Sequence, residues 1–207
     1  MISELFGEDH PSVAVDYVNI GIAYGNKGER ETEVEYCKKA LKIQKKLFGN
    51  DNLELATTYQ NLGVAYSELG QYEKALKKQL KSLEIKQSYF EENHQSIASS
   101  YFCLGIIYDK QRNYPEAMKY HLKALKIRNT LYDNKHPKTS DSCRAVGFLY
   151  EQYLDKACAK KYYLKAFQIK NKIYGKNHTN LQYINEDVDD IDQFHALNTR
   201  NNQFDPY

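Results

Sequence analysis

The chain has 207 residues, 42% apolar and 27% charged, close enough to the globular average to exclude wholesale disorder. With 10 Gly and 4 Pro, it has too few turn formers for a loop-rich all-β sandwich. A net charge of +2 does not by itself point to nucleic acid or to an anionic membrane. The opening MISELFGEDH lacks a basic stretch followed by an apolar run, and no segment reaches the ~18 apolar residues of a membrane span. Cys37, Cys103, Cys143 and Cys158 are widely spaced without a CxxC pair, and read as buried thiols rather than a disulfide framework. The expected class is helical, soluble and cytoplasmic.

In chain order, residues 1–5 read as the end of a truncated preceding helix, because Leu5 aligns with Leu47 and Leu131. From Phe6 the segment FGEDHPSVAVDYVNIGIAYGNKG opens a unit that recurs from Phe48, Phe90 and Tyr132 at a constant spacing of 42 residues. The units are 6–47, 48–89, 90–131 and 132–173, with no insertion or deletion. Each holds two amphipathic helices. In the second unit these are Leu53 to Leu69, with Ala56, Tyr59, Leu62, Gly63 and Tyr66 on one face, and Gln71 to Tyr89, with Ala75, Leu76, Leu80, Leu83 and Ile85 turning inward. Pro115 sits at the start of a second helix, where a missing N–H costs nothing. A fifth connector begins at Tyr174. Residues 174–197 then read as a capping helix with Leu181, Ile184, Val188 and Ile191 on one face, and 198–207 as a frayed tail.

Gly21, Gly63, Gly105 and Gly147 fall inside the first helices, where Gly costs ~1 kcal/mol against Ala. Their recurrence implies close approach of the second helix, with Ala75, Ala117 and Ala159 as the matching small residue and Glu33 as the exception. Tyr24, Tyr66, Tyr108 and Tyr150 close the first helices as amphipathic wedges. Leu41, Leu83, Leu125 and Phe167, with Ile43, Ile85, Ile127 and Ile169, are expected to pack on the following unit. No single hairpin buries these faces, whereas stacked hairpins do.

The segment YQNLGVAYSELGQYEKALKKQLKSLEI, Tyr59 to Ile85, resembles the tetratricopeptide repeat (TPR), and the 42-residue period with FGxDHP-like connectors resembles the kinesin light chain and nephrocystin type. The resemblance implies an all-α fold, a right-handed α-solenoid of stacked antiparallel helix hairpins. It also implies a non-catalytic interaction module whose first helices line a concave groove for a peptide or helix of a partner protein. Carried over residue by residue, the groove comprises Val18, Asn19 and Ile22; Gln60, Asn61 and Val64; Phe102 and Ile106; and Arg144 and Phe148. Asn19 and Asn61 stand where the second Asn of the LNNLA pattern stands, and an amide offers both donor and acceptor to a peptide backbone. Cys103 and Ala145 break that series. The Lys/Asn clamp by which some chaperone-binding TPRs hold a terminal carboxylate is missing, since Val18/Ile22, Gln60/Val64 and Phe102/Ile106 occupy its positions. Apolar anchors are expected on the partner. The alternatives are a structural or oligomerisation array, and a targeting module of a larger enzyme-containing protein.

His10, His94, His136 and His178 share one register, but successive hairpins stand roughly 10 Å apart, too far for shared metal ligation, and the residues read as loop or helix-cap positions. No cofactor, metal or catalytic residue is expected: no Cys/His pairing is evident and no GxGxxG or GxxxxGK[ST] occurs. The Lys-rich second helices, as in KKALKIQKK, read as solvated faces; nucleic-acid binding is not favoured because stacking aromatics are not interleaved there. From residue 174 onward the charge is −4, which leaves +6 for the rest, so the end of the chain is expected to serve as a solubilising cap, with folding back onto the basic repeats as the sharper alternative. The first repeat has no cap before it, so its face belongs either to a longer array or to self-association.

Overall fold

The computed structural model describes residues 10–132 and 134–175. These form eight helices: α1 Pro11–Asn26, α2 Arg30–Phe48, α3 Leu53–Glu68, α4 Tyr72–Tyr89, α5 Gln95–Lys110, α6 Tyr114–Tyr132, α7 Pro137–Gln152 and α8 Lys156–Tyr174. No strand occurs among the described residues, and the fold is an all-α helical repeat. The expected preceding helix at 1–5 and frayed tail at 198–207 lie outside the described residues, as does the expected capping helix beyond residue 175. None of the described helices is long and apolar enough to cross a membrane.

The first helix of every repeat starts in the same way. His10, Asn52, His94 and His136 are extended N-caps whose side chains accept from the backbone N–H two residues on, at 3.2, 2.9, 3.1 and 3.1 Å. At His10, His94 and His136 the shared histidine register is therefore a capping register, and His178 lies outside the described residues. In the third and fourth connectors the aromatic that opens the repeat stacks on the capping imidazole: Phe90 on His94 at 3.9 Å and Tyr132 on His136 at 4.2 Å between centroids.

The first helices also end alike. The carbonyls of Tyr24, Tyr66, Tyr108 and Tyr150 accept from the N–H five residues on, at 2.9–3.0 Å. The residue before that donor is left-handed in every repeat: Gly28, Gly70, Arg112 and Leu154, at φ 86°, 71°, 58° and 61°. Glycine takes this conformation without steric cost; Arg112 and Leu154 do not.

The chain divides into two compact units, Met1–Tyr120 and His121–Tyr207, a division that falls inside α6 rather than between repeats. In the first unit α1 packs on α2 and α3 on α4 within hairpins, while α2 packs on α3 and α4 on α5 between them. Leu55, Leu62, Ile97, Leu104 and Ile107 are almost entirely buried, each contributing roughly 1.5–3 kcal/mol of apolar burial. In the second unit α7 packs on α8, with Val146, Leu149, Ala159, Tyr163 and Ala166 buried.

The glycine column has the expected use, with one correction. A Cβ at Gly21, Gly63 or Gly147 would meet the backbone carbonyl of Glu33, Ala75 or Ala159 at 3.3–3.4 Å. The approach is made by the carbonyl, whatever the side chain, so Glu33 does not break it. The side chain that lies on the glycine comes from one turn further: Cys37, Gln79 or Tyr163.

A second correction concerns Leu80, which is 43% exposed instead of turning inward, while Gln79 is fully buried. The buried stripe of α4 runs through Ala75, Gln79, Ser82, Leu83 and Lys86, at helical i, i+4, i+7, i+8 and i+11, and Leu80 lies beside it. The Ser82 hydroxyl donates to the Ala56 carbonyl at 2.7 Å where α3 and α4 cross. In the second unit the direction reverses, and Ser140 of α7 donates to the Ala166 carbonyl of α8 at 2.8 Å. The cysteine expectation holds for Cys37 and Cys143, which are buried, while Cys103 and Cys158 are half-buried.

Half-buried tyrosines pair between the two helices of a hairpin. Tyr36 of α2 stacks on Tyr24 at 5.6 Å and tilts onto Tyr17 at 5.8 Å. Tyr120 repeats this with Tyr108 and Tyr101 at 5.5 and 6.0 Å, and Tyr162 stacks on Tyr150 at 5.5 Å. In the second repeat Lys78 stands where Tyr36, Tyr120 and Tyr162 stand, with Nζ 5.5 Å from the Tyr59 centroid.

Candidate functional site

The groove residues follow an i, i+1, i+4 spacing on the first helices, which puts each set on one helix face. In the first unit α1 touches α3, and α3 touches α5, so the three faces adjoin. One column stands out. Ile22, Val64 and Ile106, one per repeat, are 38, 38 and 37% exposed. Solvent-facing branched apolar residues at one register are not needed for the core, whose first-helix positions are filled by Leu55, Leu62, Ile97 and Leu104.

The neighbours of this column divide. Asn19 is exposed, and Val18 and Phe102 are half-buried. Asn61 is half-buried, and its amide Nδ2 has no hydrogen-bond partner. Gln60 is engaged from below: its Oε1 accepts from the ammonium of Lys86, which also donates to Ser100 Oγ at 3.0 Å. In the second unit Arg144 is exposed and Phe148 is 38% exposed on α7.

Lys86 is a residue that sequence patterns alone do not single out. It is buried, with neutral oxygens as its acceptors, and burial lowers its pKa. A signal is nonetheless present in the register: Gln44, Lys86, Arg128 and Lys170 share one column near the end of the second helices. Arg128 makes the matching bonds in the second unit, from Nη1 to the Lys138 carbonyl at 2.7 Å and to Ser142 Oγ at 2.6 Å. Lys170 pairs with Asp141 at 3.1 Å. A polar second-helix residue thus recurs beneath the first-helix surface.

The titratable groups give no activated nucleophile at these positions. Burial pushes the Cys37 thiol up to about 12, helped by Glu33, and the Cys143 thiol up to about 11. Burial and Arg128 bring His121 down to about 4. Among the described residues no group of three or more His, Cys, Asp or Glu is placed to hold a metal ion. The capping imidazoles are occupied at Nδ1 by backbone N–H groups.

A family model described as tetratricopeptide repeat matches residues 34–88, 66–130 and 96–172, and a second with the same description matches residues 17–47. No curated protein matches the chain by sequence. Among solved structures, BtubC (BKLC) from P. vanneervenii is similar with a TM-score of 0.76 and 16% identity, over 95% of this chain and 84% of that one. The TPR-like repeats of kinesin light chain type from Podosopora anserina give 0.77 and 18%, over 94% and 92%. The apo form of RapI gives 0.65 and 24%, over 77% of this chain and 56% of that one. At these identities the likeness is one of fold.

Proposed function

Because the chain belongs to the tetratricopeptide repeat family, a fold used generally for protein–protein interaction, we propose that it is a non-catalytic adaptor or scaffold in the cytoplasm. It binds a peptide or helix of a partner protein along its first helices. The observation that carries this reading is the column Ile22, Val64 and Ile106, equally exposed in three successive repeats. A rigid array of apolar positions recognises side chains of matching spacing without reordering, which keeps the entropic cost of binding low. Asn61, whose amide Nδ2 is unpartnered beside this column, and exposed Asn19 supply polar contacts to a peptide backbone. Phe102 and Phe148 add aromatic surface, and Arg144 a charge.

The test is co-purification of partners with the intact chain and with the variant Ile22→Asp, Val64→Asp. Both positions are exposed, so the variant is expected to melt as the parent does while losing its partner. Undiminished capture by a folded variant would overturn the groove reading.

A second reading has its own support. Ile20 shares a column with Leu62, Leu104 and Val146, which are fully buried, yet it is 37% exposed. An apolar core position left uncovered in the first repeat suits self-association. Sedimentation of the parent and of Ile20→Asp distinguishes this reading: it requires a concentration-dependent assembly that the substitution abolishes.

A further inference from the structure

The second helices of the first unit carry a feature that binding along the first helices does not use. Lys45 of α2 and Lys78 of α4 both direct their ammonium groups at the ring of Tyr59, at 5.9 and 5.5 Å from its centroid. They line a cleft of about 590 Å³ together with Lys77, Lys81, Leu80 and the one carboxylate of its wall, Glu84. Of these cations only Lys81 is neutralised, by Asp51 and Glu84, each at 3.0 Å. Lys45, Lys77 and Lys78, and the neighbouring Lys38, form no ion pair among the described residues. Burial, then the charges of Lys45, Lys77 and Lys38, lower the pKa of Lys78, so the cluster holds mutually repelling cations. Other repeats avoid this arrangement, with Tyr36, Tyr120 and Tyr162 in the place of Lys78 and Gln87 in the place of Lys45.

We propose that this cleft between α2 and α4 docks an acidic segment of a partner protein, with Lys45, Lys77 and Lys78 taking its carboxylates and Leu80 an apolar side chain. Charge complementarity selects the partner: an anion relieves the repulsion that the fold itself leaves unpaired. The lining selects a peptide over a single-stranded nucleic acid. Tyr59 is only 5% exposed and offers no open ring on which a base stacks, whereas Leu80 is 43% exposed at the rim.

The substitutions Lys78→Tyr and Lys45→Gln install residues that the array already uses at Tyr120 and Gln87, so they test the charge without inventing a new packing. The probe is a fluorescein-labelled peptide of glutamates interrupted by single leucines, followed by fluorescence anisotropy with the full chain. The double variant is expected to weaken binding by about tenfold, and a control of equal charge change, Lys126→Gln with Lys172→Gln, by less than about twofold. Affinity for the parent falls as salt rises. If the double variant fails to fold, Lys77→Gln, at an exposed position, replaces it and is expected to weaken binding by about threefold. No binding by the parent, equal weakening by the control, or tighter binding of oligothymidine or phosphatidylserine vesicles overturns the proposal. Binding of this probe does not depend on Ile22 or Val64, so the variant that tests the first-helix surface leaves it intact.

Discussion

Gly25 of α1 and Glu33 of α2 share one volume: a Cβ added at Gly25 would overlap the Glu33 carboxylate, which is held by Arg30 at 2.8 Å. Both residues depart from their columns, Glu33 from Ala75, Ala117 and Ala159, and Gly25 from Ser67, Asp109 and Glu151. Each departure accounts for the other. Glu33 is buried, and it fits because the residue opposite has no side chain.

The expected outcome is a reversal of sign. Gly25→Ala alone overpacks the site and disturbs a partly buried ion pair, so it lowers stability by about 1–3 kcal/mol. In a Glu33→Ala background the same substitution meets only the flexible end of Arg30, which is freed from its partner and can move aside, and it gains helix propensity, raising stability by about 0.5–1 kcal/mol. Urea denaturation of the four proteins of the cycle measures the coupling; additivity would contradict it.

Leu154 offers a stabilising change. It is 81% exposed and left-handed at φ 61°, in the register of Gly28 and Gly70. Leu154→Gly removes a conformational cost of about 1–2 kcal/mol, partly offset by the greater freedom of glycine in the unfolded chain. Arg112→Gly is the equivalent change in the third repeat. Both variants are expected to raise the urea midpoint without changing the slope.

Stability falls below neutrality through two histidines of the second unit. His121 is buried and brought down to about 4, and His136 is lowered by burial, Lys138 and Arg128 against the opposing pull of Asp141. Because the folded values lie below the unfolded value of about 6.5, the unfolded chain takes up protons first. Their contribution is complete above that value and is lost as pH falls toward the folded values, for His121 over the window down to about 4. His121→Gln places there the residue that Gln79 supplies in the second repeat, and His136→Asn copies the Asn52 cap. Together they are expected to flatten thermal midpoints measured across this window. An unchanged slope in the double variant would contradict the assignment.

Asn61 separates backbone recognition from side-chain recognition. Asn61→Ala removes a buried amide Nδ2 that has no partner, so it leaves the melting temperature near that of the parent. If the amide turns to meet a bound peptide, affinity falls by about tenfold, the worth of roughly 1.4 kcal/mol. Titration of a captured partner segment against parent and variant measures it.

Much of this fold is legible in the sequence because its period is strict. The helix limits of the second repeat, the glycine and tyrosine columns and the capping role of the histidine register follow from residues recurring every 42 positions. Leu80 and Gln79 show where that reasoning fails. Hydrophobicity assigns Leu80 to the core, but the buried stripe passes through Gln79, Ser82 and Lys86, whose polar ends make the stripe look amphipathic on the wrong side. Gln60 shows the same limit at the candidate site. Its register marks it as a groove residue, and only the fold reveals the buried Lys86 that it holds. Such pairs lie 26 residues apart, in neither the helical nor the repeat period, so no single-sequence pattern announces them.

The residue lying on the column glycine changes along the chain, from Cys37 to Gln79 to Tyr163, and Tyr163 needs a specific acceptor, Glu151 at 2.9 Å. Glu33 likewise needs Gly25. Tandem units of equal length risk pairing a first helix with the second helix of another unit during folding, because backbone geometry alone does not tell them apart. Here two of the second helices carry such a penalty: Glu33 of α2 would strike Ser67 or Glu151, and Tyr163 of α8 would lose Glu151 if placed against Gly25 or Ser67. Non-identical interiors under like backbones thus act as keys, favouring the pairing of α2 with α1 and of α8 with α7.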